Sequence, residues 1–181
     1  MNPKTIVCFG EILWDLFPEG KRLGGAPFNV ANSLRNLGVE VQFISSIGND
    51  SLGEEILAEV RIQGMSTDYI QRDPNHKTGT VHVNLDDKGS AQYKISKDAA
   101  WDFILAHPTT IELVANSSAF VFGSLIARGF SFKALNRFLD VAQFRVFDVN
   151  LRPPFYSQGL LNDLMQKAEL LKFNDEELYQ I

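Results

Sequence analysis

Apolar positions along the chain alternate between two periods. Thr5 to Phe9 is a short apolar run that predicts a buried first strand, ended by Gly10-Glu11. Ile12 to Phe17 follows, apolar except for Asp15. Val30, Ala31, Leu34 and Leu37 then recur at helical spacing, with Pro27 suited to the first turn and Gly38 to the C-terminal stop. Val39 to Ile47 alternates in part and predicts a strand. Ser51 and Glu54 have capping-box spacing for a helix through Ile62, which Gly64 closes.

Thr78 to Leu85 alternates cleanly, with Val81, Val83 and Leu85 on one face and Thr80, His82 and Asn84 on the other. Asp86-Asp87-Lys88-Gly89 predicts a hairpin loop, after which Ala91, Tyr93 and Ile95 alternate with Gln92 and Lys94. Further on, helices are predicted over Thr110 to Ala115, from Ser131 with Phe132, Leu135, Phe138 and Leu139 inward, and over Leu160 to Lys167. Strands are predicted over Ala119 to Gly123, Phe144 to Val149 and Leu170 to Phe173. Strands alternating with helices predict a mostly parallel sheet covered on both faces. The hairpin at about 78–96 breaks that rhythm and is expected to stand outside the main sheet as a flap.

Composition narrows the function classes. With 181 residues, 45% hydrophobic, the chain suits one compact domain with a real core. A formal net charge of −5 and no basic run argue against a nucleic-acid surface. No apolar run is long enough to cross a bilayer, and no signal peptide is seen. Cys8, the single cysteine, excludes an internal disulfide and is expected as a buried free thiol in a reducing compartment, here the cytoplasm. His76, His82 and His107 lack zinc-ligand spacing.

Four stretches carry candidate chemistry. Gly24-Gly25-Ala26-Pro27-Phe28-Asn29 reads as a glycine turn opening a helix, with nothing on the glycines to keep a ligand from the backbone and the Asn29 amide in the first turn. Asp15 suits either a turn or a carboxylate that accepts from two vicinal hydroxyls at once. Asp148-Val149-Asn150-Leu151-Arg152-Pro153 lies just beyond a strand, where ligands of parallel sheets sit. Asn174-Asp175-Glu176-Glu177 suits a helix cap with first-turn acids.

Gly24, Gly25, Asn29, Ser33, Gly38 and Gly48, with Asp15 after Gly10-Glu11, Gly123-Ser124-Leu125 and the Asp148–Pro153 run, together resemble the ribokinase/fructokinase (PfkB) family of sugar kinases, most of all its fructokinases. The resemblance implies a ribokinase-like, three-layer α/β/α fold with a mostly parallel sheet and a β-hairpin lid. Asp15, Gly24, Gly25, Asn29, Asp148, Asn150 and Arg152 would line the sugar site, with Asn49 and Asp50 on its side of the cleft. The family usually carries two acids after Gly48, and here the first is Asn49. His82 and Tyr93 fall on the implied lid, and Trp101 and Phe103 fit either a sugar's apolar face or the core. Asn174 and Glu177 would help place magnesium and phosphate through water. ATP and Mg2+ are the implied cofactors, a sugar the substrate, and pairing of two subunits through the lid hairpin an implied assembly.

The family's third signature, an Asp-Thr-x-Gly-Ala-Gly-Asp run that supplies the anion hole and the catalytic base, does not occur in this sequence, and there is no P-loop. The expectation is a partial kinase domain over 1–181 whose catalytic base lies downstream and whose fold lacks its C-terminal part. Two alternatives stand beside it: a non-catalytic sugar-binding or interaction protein on the same half-fold, and a kinase for another sugar, a sugar acid or a nucleoside.

Overall fold

The computed structural model describes residues 5–85 and 91–181, and for 83–85 and 91–93 the backbone alone. The predicted 86–89 hairpin loop lies outside the described residues.

Six strands form one sheet: β1 (Ile6–Phe9), β4 (Val41–Gly48), β5 (Ile70–Asp73), β8 (Ala119–Gly123), β9 (Arg145–Asp148) and β10 (Leu170–Lys172). Their order is β10-β9-β8-β1-β4-β5, and every pair is parallel. Because each central strand is covered on both faces, its side chains sort into two cores. Val7, Phe9, Phe120, Phe122 and Phe147 face α3 (Pro108–Ala115), α4 (Ser131–Val141) and α5 (Gln158–Lys167). Phe9 meets Phe138 of α4 edge to face at 5.1 Å. Cys8, Phe43, Ile47 and Val121 face α1 (Ala26–Asn36) and α2 (Ser51–Ile62). The three layers follow directly, and the structure is the ribokinase-like α/β/α arrangement.

The remaining strands make a separate sheet in the order β3-β2-β6-β7, from β2 (Leu13–Phe17), β3 (Gly20–Gly24), β6 (Gly79–Leu85) and β7 (Ala91–Ile95). Two antiparallel hairpins are joined by the parallel pair β2–β6. The 78–96 hairpin is thus only half of this second sheet. The first half escapes the pattern because Trp14 is not solvent-facing: it is 7% exposed, and its indole N–H donates to the Leu52 carbonyl at 3.1 Å, so apolar residues occupy both faces of β2.

Other local readings change in the same way. In α1 the buried residues are Pro27, Phe28 and Ala31, while Leu37 is 80% exposed. The N-cap of α2 is Asp50, not Ser51: its Oδ1 accepts from the Gly53 amide at 2.9 Å. The short edge strand β5 carries no periodic signal in Ile-Gln-Arg-Asp.

Candidate functional site

The chain runs from β1 outward to β4 and β5, then returns to the other side of β1 for β8, β9 and β10. The crevice beyond the carboxyl ends of β1 and β8 is therefore the switch point of the sheet, where parallel folds take their ligands. A cleft of about 210 Å3 opens there. Glu11 follows β1, Leu125 follows β8, and Asn150 and Arg152 follow β9. Gly25, Ala26 and Asn29 come from the start of α1. Leu13 and Asp15 of β2, Val81 of β6 and Ile95 of β7 close it from the second sheet.

Backbone geometry explains why glycines stand at this wall. Gly25 is the N-cap of α1 at φ +117°, a region L side chains rarely adopt, and a Cβ there would run into the carbonyl oxygen of Glu11. A Cβ on Gly24 would run into the Asp15 carboxylate. These two residues let β3, β2 and α1 converge on one point. Asn29 sits one turn into α1, its amide donating to the Gly25 carbonyl at 2.9 Å, and the Ser33 hydroxyl donates to the Asn29 carbonyl at 2.8 Å.

The loop after β9 is held from two sides. The Ser124 hydroxyl donates to the Asn150 carbonyl at 3.2 Å, and the Leu151 amide donates to Glu177 Oε1 at 2.8 Å. Asn150 itself lies at φ +40°, which asparagine tolerates better than most residues. With the loop fixed, Arg152 stands exposed at the cleft and donates to the Leu151 carbonyl at 2.9 Å.

Two carboxyl groups face this arginine. Burial raises the pKa of Asp15, and the Arg152 guanidinium opposes that. Glu11 is 2% exposed, and burial pushes its carboxyl up to about 7, against hydrogen bonding to its own backbone amide and to that of Ala26 and the charges of Arg152 and Arg128. Its Oε1 accepts from the Ala26 amide at 3.1 Å, and its Oε2 takes no hydrogen bond from another of the described residues. In the sequence Glu11 marks only the end of a strand. No local pattern marks a residue whose burial is created by α1 returning over it.

Of the residues singled out from sequence, Asp15, Gly25, Asn29, Asn150 and Arg152 line this cleft, and Gly24 packs directly behind Asp15. The structure takes the others elsewhere. Asp50 accepts from the Thr78 amide at 2.9 Å and the Thr78 hydroxyl at 2.7 Å as well as capping α2, and it borders a different cavity with His76 and Lys77. Asn49 donates its amide to the Asp73 carbonyl at 2.9 Å and does not line the cleft. Asp148 pairs with Lys172 across β9 and β10 at 2.9 Å. His82 is exposed and borders a third cavity with Pro153 and Phe155. The Tyr93 side chain lies outside the described residues. Trp101 is fully buried in the core, and Phe103 stacks on His76 with ring centroids 3.5 Å apart.

Asn174 and Glu177 form a complete capping box on α6 (Asp175–Leu178). Glu177 Oε2 accepts from the Asn174 amide at 3.0 Å while Oε1 holds Leu151, so both carboxylate oxygens are committed. Among the described residues no three acidic, His or Cys side chains are grouped to hold a metal. A direct all-protein magnesium cage is therefore absent among the described residues, and Asn174 and Glu177 could act on such an ion only through water. The cleft offers carboxyl acceptors, an amide, a guanidinium and backbone groups, flanked by Leu13, Val81, Ile95 and Leu125.

A parallel α/β/α sheet with such a cleft at its switch point, faced by a second sheet, is the ribokinase-like fold. Comparison with known proteins agrees. The pfkB family carbohydrate kinase pattern matches residues 5–181, and the chain belongs to that family. It is 26% identical to a probable fructokinase-4 of Arabidopsis thaliana, over 96% of this chain and 60% of that protein. It is 30% identical to a putative sugar kinase of Pyrococcus horikoshii, over 96% of this chain and 62% of the relative. The crystal structure of that Pyrococcus protein superposes with a TM-score of 0.83 at 28% identity, covering 97% of this chain and 64% of the other. A Xylella fastidiosa fructokinase with bound ATP gives 0.82 at 28% identity, covering 98% and 60%. The chain thus spans about 60% of the length of the relatives it matches. Among the described residues no helix is long and apolar enough to cross a membrane.

Proposed function

We propose that this chain carries the sugar-binding half of an ATP-dependent kinase that phosphorylates a sugar hydroxyl, with fructose as the first candidate. The observation that carries the reading is the convergence of Asp15, Gly25, Asn29 and Arg152 on one cleft at the sheet's switch point. Asp15 accepts from two neighbouring sugar hydroxyls, Asn29 and Arg152 donate to ring and hydroxyl oxygens, and the apolar flank meets the C–H face of the sugar. The second sheet excludes water from the hydroxyl that reacts. Fructokinase is the name borne by relatives at 26–28% identity, and one of them binds ATP, which supports ATP as the phosphoryl donor. The base and the groups that hold ATP would come from residues that this sequence does not contain. The site of action would be the cytoplasm.

Calorimetry with D-fructose tests the reading. The wild-type chain binds fructose, and Asp15→Ala loses roughly ten- to hundredfold in affinity, the size of a lost hydrogen-bond pair to a charged group. Preference for a nucleoside or a sugar acid over fructose would refute the fructose assignment. ATP-dependent turnover of fructose by the chain itself, lost in Asp15→Ala, would show that no missing element is needed.

A further inference from the structure

Helix α1 starts without a cap of its own. Its N-cap is Gly25, which has no side chain to accept from the first-turn amides, and the first turn holds no acidic residue. The chain's geometry forbids a remedy at that position, since any Cβ on Gly25 would meet the Glu11 carbonyl. The acceptor arrives from another element. Glu11, at the end of β1, reaches the Ala26 amide with Oε1 at 3.1 Å.

We propose that Glu11 is a positioning residue of the sugar cleft. Its carboxyl group fastens the N-terminus of α1 to the end of β1, and its ionised form draws Gly25, Asn29 and Arg152 into the arrangement that binds sugar. The inference rests on the sugar-binding reading above. A side-chain cap on α1 would need a residue at Gly25 other than glycine, and that would obstruct the wall. Placing the acceptor on β1 keeps the wall bare and ties the helix to the sheet. Oε2 is buried and takes no hydrogen bond from another of the described residues, and such atoms are uncommon in folded proteins.

The charge of Glu11 matters because it faces few others. Arg152 approaches from the loop after β9, Arg128 from the segment after β8, and Asp15 lies across the cleft on β2. An ionised Glu11 is a stronger acceptor for a helix N-terminus than a neutral one and attracts Arg152 to the cleft floor. Its carboxyl is pushed up to about 7, so both forms are populated near neutrality. Sugar is uncharged. Any dependence of its binding on pH in that range therefore reports the protein's arrangement, not ligand charge. By reciprocity, binding that favours the ionised form releases a proton.

The test uses the 181-residue chain, wild type and Glu11→Gln, which keeps an acceptor for Ala26 and abolishes the titration. Asp15→Asn serves as the control for the other carboxyl. In the free protein, the Ala26 amide resonance is expected to titrate well above the usual carboxylate range in the wild type and in Asp15→Asn, and to be flat in E11Q. D-fructose affinity is expected to rise roughly three- to tenfold from pH 6 to pH 8 in the wild type and to stay constant in E11Q. Calorimetry at pH 7 in buffers of different ionisation enthalpy is expected to show proton release on fructose binding, absent in E11Q. A purely structural Glu11 would still shift the Ala26 resonance with pH, but fructose affinity would be independent of pH and binding would release no proton. An Ala26 resonance that does not titrate between pH 5 and 8, or that titrates equally in E11Q, would overturn the proposal, as would pH-independent fructose affinity in the wild type. Failure of fructose to bind at any pH would instead refute the sugar reading, and the Ala26 titration would still decide whether Glu11 holds α1.

Discussion

A buried carboxyl with a raised pKa changes the stability of the whole protein with pH. Burial disfavours the charge of Glu11 and pushes its carboxyl up from the ordinary 4.5 to about 7. Between those values the unfolded chain has released a proton that the folded chain still holds. Stability therefore falls as pH rises through this window, by up to about 3 kcal/mol from this one group. Denaturant unfolding of wild type and E11Q at pH 4.5 and pH 7.5 checks the sign: the wild type loses stability relative to E11Q on going to the higher pH. A wild-type profile parallel to that of E11Q would mean that Glu11 titrates normally. The residue scale also shows what sequence can and cannot reveal. Asp15, Gly25, Asn29, Asn150 and Arg152 are singled out in the sequence by the family motifs it resembles, and each lines the cleft. Asp50 and Asp148 stand out for the same reason. Their oxygens go instead to Thr78 and the α2 cap, and to Lys172; the cap lies within a local window, whereas Thr78 and Lys172 are brought in from distant segments.

At the scale of elements, one guanidinium ties the end of the second sheet to the segment after β8. Arg128, just beyond β8, donates to both Asp102 oxygens at 2.6 and 3.0 Å and to the Ser96 carbonyl at 2.7 Å. Ser96 is the residue after β7, and it exchanges hydrogen bonds with Thr80 of β6: the Ser96 amide donates to the Thr80 carbonyl at 3.0 Å, and the Thr80 amide donates to the Ser96 hydroxyl at 3.0 Å. The guanidinium also lies between the rings of Trp101 and Phe155, 4.0 and 4.3 Å from their centroids. Asp102 is 4% exposed, so Arg128→Ala leaves a buried carboxylate without its counter-charge, and burial already raises the pKa of that group. The expected loss is about 3 kcal/mol, with faster hydrogen exchange at the Thr80 and Ser96 amides than in β1 or β8. Exchange that speeds up uniformly across both sheets would show that Arg128 serves the fold in general and not the anchorage of the second sheet. Neither this anchor nor the β2–β3 hairpin was legible from periodicity. The clean alternation of β6 announces a half-exposed strand, whereas β2 packs Trp14 against α2 on one side and offers Leu13 and Asp15 to the cleft on the other.

For the molecule as a whole, the parallel α/β/α architecture was readable because each strand–helix unit is local, but the strand order was not, since it depends on β1 pairing with β4 on one side and with β8, more than a hundred residues away, on the other. That order leaves β10 at the edge, and the edge is unlike the other strands. All three of its residues are exposed, and Leu170, Leu171 and the adjoining Phe173 are 45%, 38% and 38% exposed. Leu178 and Tyr179, just beyond, are 53% and 88% exposed. Unpaired backbone donors and acceptors beside apolar side chains form a template for another strand, and proteins ordinarily blunt such an edge with charge or cover it. The expected behaviour of this 181-residue chain in solution is concentration-dependent association at roughly micromolar to millimolar concentrations. Leu171→Lys places a charge on the edge without touching the cleft, and it is expected to reduce that association while leaving fructose affinity unchanged. Sedimentation velocity across a concentration series separates the outcomes. A wild-type chain that stays monomeric throughout would show that β10 is not adhesive. Association that persists unchanged in L171K would place the contact on another surface.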